Sequence, residues 1–201
     1  MKGLEKLTSM RLAEVLTQKS IVPVETITDA LYMQDRVGES FVEVMIDSGH
    51  IAEWDLARVV VESFQLPFLL AGSYSLSDEA KALIPEERLF ENLLVPLDII
   101  DDVLVVSMPV LTTSERLISL ESNFGVKVFP YVGLISENKK VFQDEFPAFK
   151  EWHKNFEVEK DKRLKAMEAA PTAPEPEQDE GGGWTNLFDS GDQAVRDSIQ
   201  K

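Results

Sequence analysis

Two stretches decide the reading of this chain: Arg11–Gln34, RLAEVLTQKSIVPVETITDALYMQ, and Ser40–Ser63, SFVEVMIDSGHIAEWDLARVVVES. Displaced by 29 residues, they bring Leu12 onto Phe41, Leu16 onto Met45, Val22 onto Ile51, Ile27 onto Leu56 and Leu31 onto Val60. Within each stretch the apolar residues recur at helical spacing. Pro23 stands where a first helical turn tolerates proline, Gly49 stands where a C-terminal glycine closes a helix, and the last helix stops before Pro67. Each unit therefore reads as a helix pair with one buried face. Two such pairs close a core that neither closes alone.

Beyond Pro67 the pattern changes. Ser77 and Asp78 open a helix through Leu83, Leu93 to Ile100 reads as a strand, Asp101 and Asp102 make a turn, and Val103 to Met108 returns as the partner strand. Thr112 with Glu115 suggests a capping box for a helix ending at Gly125. Val126 to Val132 is a further strand, and Ser136 opens a helix through about Phe142. The expected class is α+β, with an all-helical duplicated helix-pair repeat over 1–66 and a small α+β subdomain over 67–145. A charged helix over 146–169 follows. Its run from Glu151 to Ala169 is dense in Glu, Lys and Asp, which suits a solvated element.

Residues 170–183, APTAPEPEQDEGGG, combine proline, acid and three glycines, and read as a disordered linker. After it comes WTNLFDSGDQAVRDSIQK at 184–201, a short peptide-like motif. Its Trp184, Leu187 and Phe188 form a compact apolar cluster of the kind presented to a groove on a partner, or docked back onto the parent domain.

Composition narrows the chemistry. The 201 residues are 44% hydrophobic, enough for a core over most of the chain, and contain no cysteine. Disulfides, thiolate metal sites and cysteine nucleophiles are thereby excluded, and His50 and His153 alone offer little imidazole ligation. A formal net charge of -16 repels phosphate backbones and anionic lipid, so no nucleic-acid partner is expected. Nor is direct membrane insertion: the first ten residues lack a secretory apolar run, and no window offers a span, so a cytoplasmic location is the expectation. Asp98, Asp101 and Asp102 suit a solvated hairpin turn better than a cation site. No nucleophile, base and oxyanion donor can be assembled, so no enzyme and no resident cofactor or metal are expected.

The two repeats, followed by LPF at 66–68, IPEE at 84–87, VPL at 95–97, the 103–108 strand and FGVKVFPYV at 124–132, resemble the N-terminal domain of type II secretion and type IV pilus assembly ATPases, the MshEN domain. The likeness runs over about residues 11–143. In that family the domain normally precedes an ATPase motor; here no GxxxxGK[ST] occurs, and a stand-alone, non-catalytic domain is the expectation. The resemblance implies protein partners among the cytoplasmic components of a secretion, pilus or motility system.

Some members bind cyclic di-GMP through tandem copies of RLGxxLLxxGLLxxxxLxxxLxxQ, in which arginine can stack on guanine and the early glycine permits close approach. By this resemblance Arg11, Leu12, Gln34 and Gly49 are the candidate nucleotide-binding residues. The first copy keeps Arg11, Leu12, Leu16, Ile21, Val22, Ile27, Leu31 and Gln34 but has Ala13 and Ser20 for its glycines. The second has Ser40, Phe41, Val42 and Ser63 at the arginine, leucine, early glycine and glutamine positions, which leaves a degenerate site.

Overall fold

Four helices build the duplicated half: α1 (Ser9–Gln18), α2 (Val24–Val37), α3 (Phe41–Asp47) and α4 (Glu53–Phe64). The computed structural model describes residues 6–169; the 170–183 run and the 184–201 segment lie outside the described residues. Local chemistry sets the helix ends. Thr8 caps α1 by accepting the Arg11 amide at 3.1 Å, Pro23 precedes the first residue of α2, and Gly38 closes α2 in the left-handed region at φ 78°. The offset seen in the sequence is a structural repeat: Leu12, Leu16, Val22 and Ile27 are buried, and so are Phe41, Met45, Ile51 and Leu56. Even the turn geometry repeats, since Ser20 at φ 51° and Gly49 at φ 73° are equivalent positions. Glycine adopts that conformation freely, whereas a serine there carries strain of about 1 kcal/mol.

The second half contains α5 (Asp78–Leu83), α6 (Glu86–Glu91), β1 (Val95–Ile100), β2 (Val103–Pro109), α7 (Ser114–Phe124), β3 (Lys127–Gly133) and α8 (Ile135–Glu145). Strand order is β1-β2-β3. β1 and β2 are antiparallel, with Ile100 opposite Val103. Asp101 and Asp102 both take positive φ, 49° and 63°, which lets a two-residue turn match the strand twist. β3 lies parallel to β2, with Val103 opposite Lys127 and Pro109 opposite Gly133. The return path is α7, as parallel pairing requires a crossover. Phe68 bridges Val132 in parallel, and Leu69 donates to the Val132 carbonyl at 2.9 Å, so the segment after α4 extends the sheet on its β3 side.

Several local expectations change. The short helix α6 was not anticipated; it follows Pro85 and carries Leu89 and Phe90 into the core. The strand begins at Val95 because Leu93 turns the chain at φ 47°. No capping box forms at α7. Thr113 occupies the cap position, while Thr112 is buried and its hydroxyl has no hydrogen-bond partner. α8 starts one residue before Ser136, whose amide and hydroxyl both donate to the Glu53 carboxylate, at 3.0 and 2.7 Å.

The last helix, α9 (Phe149–Ala169), is solvated along most of its length but not at its start. Phe149 is completely buried, and Phe90 lies 5.1 Å from Phe142, 5.8 Å from Phe146, 5.1 Å from Phe149 and 5.5 Å from Trp152. Tilted and edge-on ring contacts of this kind add to the burial of large apolar area. One continuous apolar cluster runs from Leu7 through the repeat and the sheet to Phe149. The Leu7 carbonyl also accepts the Ser114 amide at 2.7 Å, tying the N-terminal segment to α7.

At the centre of the second half sits Asn138 of α8, fully buried. Its amide nitrogen donates to the carbonyls of Leu93 and Ser107, at 2.9 and 3.0 Å, and its oxygen accepts the Ser107 hydroxyl at 2.9 Å. Gly133 lies against the same group: a β-carbon there would collide with the Ser107 hydroxyl. Asn138→Ala leaves these groups unpaired in the interior and is expected to cost about 3 kcal/mol. Gly133→Ala is expected to cost about 2 kcal/mol, partly recovered by adding Ser107→Ala. Thr112→Val removes a buried hydroxyl that faces a water-sized polar cavity, at nearly constant shape, and is expected to change stability by less than about 1 kcal/mol. Urea denaturation midpoints at constant slope test all three.

Candidate binding surfaces

The four residues singled out by the tandem motif do not converge. Arg11 is exposed, with its guanidinium donating to Glu14 at 2.7 Å on the same helix. Leu12 belongs to the core, and Gly49 sits on an exposed turn. Gln34 lines a small cavity of about 50 Å³ between the repeat and the start of α7. The motif's early-glycine positions are filled inward, since Ala13 and Val42 are both buried. A side chain that packs into the core at these places leaves no bare backbone for a ligand to approach.

The small cavity is nonetheless polar in an unusual way. Gln34 Oε1 and Thr112 Oγ1 are both buried without a hydrogen-bond partner, and both residues line it together with Ser9, Ser40 and Arg116. A space of this size holds one or two waters and is far too small for a dinucleotide.

A much larger groove, about 670 Å³, opens between the α2–α3 segment, the end of α6, α8 and the inner side of α9. Its aromatic wall comes from Phe90, Trp152 and Phe156. Trp152 and Phe156 stack at 4.9 Å with their planes 16° apart, and Phe156 remains 42% exposed. The acidic lining comprises Glu39, Glu43, Asp47 and Glu53 from the repeat, Glu91 from α6, and Glu157 and Glu159 from α9. Against them stand Arg116, Lys139, Lys160 and Arg163.

Two ion pairs join the walls of the groove. Lys139 of α8 meets Glu43 at 3.0 Å, and Lys160 of α9 meets Glu39 at 3.3 Å. Burial opposes the charge on Lys160, yet Glu39 and Glu43 together hold its ammonium above the ordinary lysine value. Both pairs are partly shielded from solvent, which makes them stronger fixtures than surface pairs. They span different elements, so they define the width of the opening.

Of the remaining candidates, His153 lines the groove and the other described ones lie outside both cavities. His50 is exposed, and His153 lies edge-on to Phe149 at 5.3 Å, with Glu157 3.7 Å away. Asp98 accepts from Tyr74 at 3.5 Å and from the Ile99 amide, while Asp101 and Asp102 form the hairpin turn. Among the described residues no group of three carboxylate or imidazole side chains is placed to share a metal ion. None of the described helices is long and apolar enough to cross a membrane. Trp184, Leu187 and Phe188 lie outside the described residues. The groove is what sequence reasoning missed. Its one local signal was the spacing of Phe149, Trp152 and Phe156 at i, i+3 and i+7 within an otherwise charged run.

The sequence matches no family model. It is 27% identical over 123 residues to the type IV pilus assembly ATPase PilB of Thermus thermophilus; that stretch covers 60% of this chain, and the chain spans 14% of that relative's length. Two solved structures share its architecture. The N-terminal domain of XpsE superimposes at a TM-score of 0.55 with 18% identity, covering 71% of this chain and 96% of that one. A structure of MshE with cdg superimposes at 0.54 with 18% identity, covering 68% and 99%. In fold and in the order of its sequence elements, this chain resembles the N-terminal, MshEN-like domain of type II secretion and type IV pilus assembly ATPases.

Proposed function

We propose that the chain is a non-catalytic adaptor, a regulatory protein-interaction module of a secretion, pilus or motility machinery, acting in the cytoplasm. Its folded part docks on one component. The segment at Trp184, Leu187 and Phe188 engages a second, with residues 170–183 as the tether that raises its effective concentration. The observation that carries this reading over ligand binding is the inward packing of Ala13 and Val42, which turns the motif's close-approach positions into core. The fold likeness supports the machinery, and the lack of a GxxxxGK[ST] stretch in this sequence supports a non-catalytic role. Affinity capture of pilus and secretion components with the intact chain should recover two partners. Truncation after Ala169, or Trp184→Ala with Phe188→Ala, should lose one and keep the other. Unchanged recovery would refute the role of the tail, and recovery of no such component would refute the adaptor.

A second reading has one observation in its favour. Gln34, at the last position of the first motif copy, presents a buried oxygen without a partner, and the chain shares its fold with MshE, whose structure holds cdg. The chain would then be a cyclic di-GMP receptor with a degenerate site built on Arg11 and Gln34. Calorimetry with cyclic di-GMP should give no heat under the adaptor reading. Micromolar binding abolished by Arg11→Ala would establish the receptor instead.

A further inference from the structure

We propose that the groove between α9 and the α2–α3 segment seats a basic amphipathic helix of a partner protein, with an apolar side chain against Trp152 and Phe156 and lysines or arginines facing the surrounding carboxylates. This deepens the adaptor reading and rests on it, because it names the chemistry of the partner that docks on the folded part.

Shape supports a helix-borne anchor. At about 670 Å³ the groove has the size of sites that enclose several side chains, and it is partly open to solvent. Its wall is rigid, because Trp152 is held by Phe90 at 5.5 Å and in turn stacks on Phe156. The aromatic chain that begins fully buried at Phe149 therefore ends at a ring that is 42% exposed, on the groove. A stiff, half-exposed aromatic backed by packed rings has little entropy left to lose on binding, which is the character of an interface anchor.

Charge selects the partner. Seven carboxylates line the groove against four cations. Lys139 and Lys160 are already engaged by Glu43 and Glu39. Of the rest, Glu53 accepts the amide and hydroxyl of Ser136. Glu91 and Glu159 are paired from outside the groove by Arg88 and Lys162, each at 2.8 Å, so Asp47, Glu53 and Glu157 face Arg116 and Arg163 with one carboxylate in excess. The chain as a whole carries -16, so the field at longer range has the same sign. Such a surface attracts a basic segment and repels an acidic one, mainly through the rate of encounter and the rejection of wrong partners.

The test uses the full chain carrying Trp54→Phe and Trp184→Phe, so that Trp152 is the one remaining tryptophan. It is titrated with a designed helical peptide of about five turns, leucines on one face and lysines on the other, and with the same peptide bearing glutamates. The leucine–lysine peptide should shift Trp152 emission with micromolar affinity, and the leucine–glutamate peptide should not. Phe156→Ala should weaken binding by about tenfold or more, and Glu157→Lys should weaken it less, with far-UV dichroism unchanged. Equal binding of both peptides, no binding of either, or full affinity in Phe156→Ala would overturn the proposal. So would concentration-dependent self-association abolished by Phe156→Ala, which would make a second copy the occupant. These outcomes do not depend on which machinery component is captured, so the adaptor reading stands or falls separately.

Discussion

Three hydrogen bonds from one buried amide hold the second half together. Asn138 enters the core from α8 and satisfies the carbonyl of Leu93, where the chain turns into β1, and both the carbonyl and hydroxyl of Ser107 in the middle of β2. A polar side chain in the interior is tolerable only when its hydrogen-bonding capacity is met, and here donors and acceptor are all engaged. The arrangement is directional where apolar packing is not. It fixes α8 in one position along the sheet, and it demands a glycine at 133, where β3 passes over the Ser107 hydroxyl. With α8 placed, Phe142 and Phe146 are placed, and with them the seat for Phe90, Phe149 and Trp152. The aromatic wall of the groove is thus a downstream result of where one asparagine is satisfied.

What could be read from the residues follows from how local the causes are. The helix-pair repeat was legible because each helix buries a face at its own period, and because the offset places leucine, valine and isoleucine on matching sites. The β1–β2 hairpin was legible from Asp101 and Asp102, whose side chains suit the left-handed turn that the strands require. Helix α6 was not, because EERLFE is too short to display a period and its importance lies in where Phe90 lands. The parallel pairing of β3 was not, since it is specified by a crossover and not by any residue in the strand. α9 was half legible: its charge density described the outer side correctly and concealed the role of Phe149 and Trp152, whose partners come from α6 and α8.

The same reasoning separates the two candidate surfaces. A tandem motif names positions, but the fold decides what each position touches. Leu12 is interior, Arg11 is bound to its own helix neighbour, and Ala13 and Val42 fill the space that glycines would have opened. The motif survives mainly as the apolar skeleton of a duplicated core, with Gln34 and Ser40 as polar positions facing a cavity. The groove has the opposite character. No motif marks it, its residues are scattered over seven helices, and two interelement ion pairs join its walls.

The bond between the Leu7 carbonyl and the Ser114 amide carries a consequence for biosynthesis. Residues at the very start of the described chain are seated on a helix that lies well past its middle, and β3 can join β2 only after that helix has been made. On a ribosome the duplicated half therefore emerges complete while the surface that receives Leu7 is still inside the exit tunnel. The four-helix unit must wait, with part of its apolar face uncovered, until α7 arrives. Long-range closure of this kind slows folding and leaves apolar surface of the N-terminal half exposed for longer during synthesis.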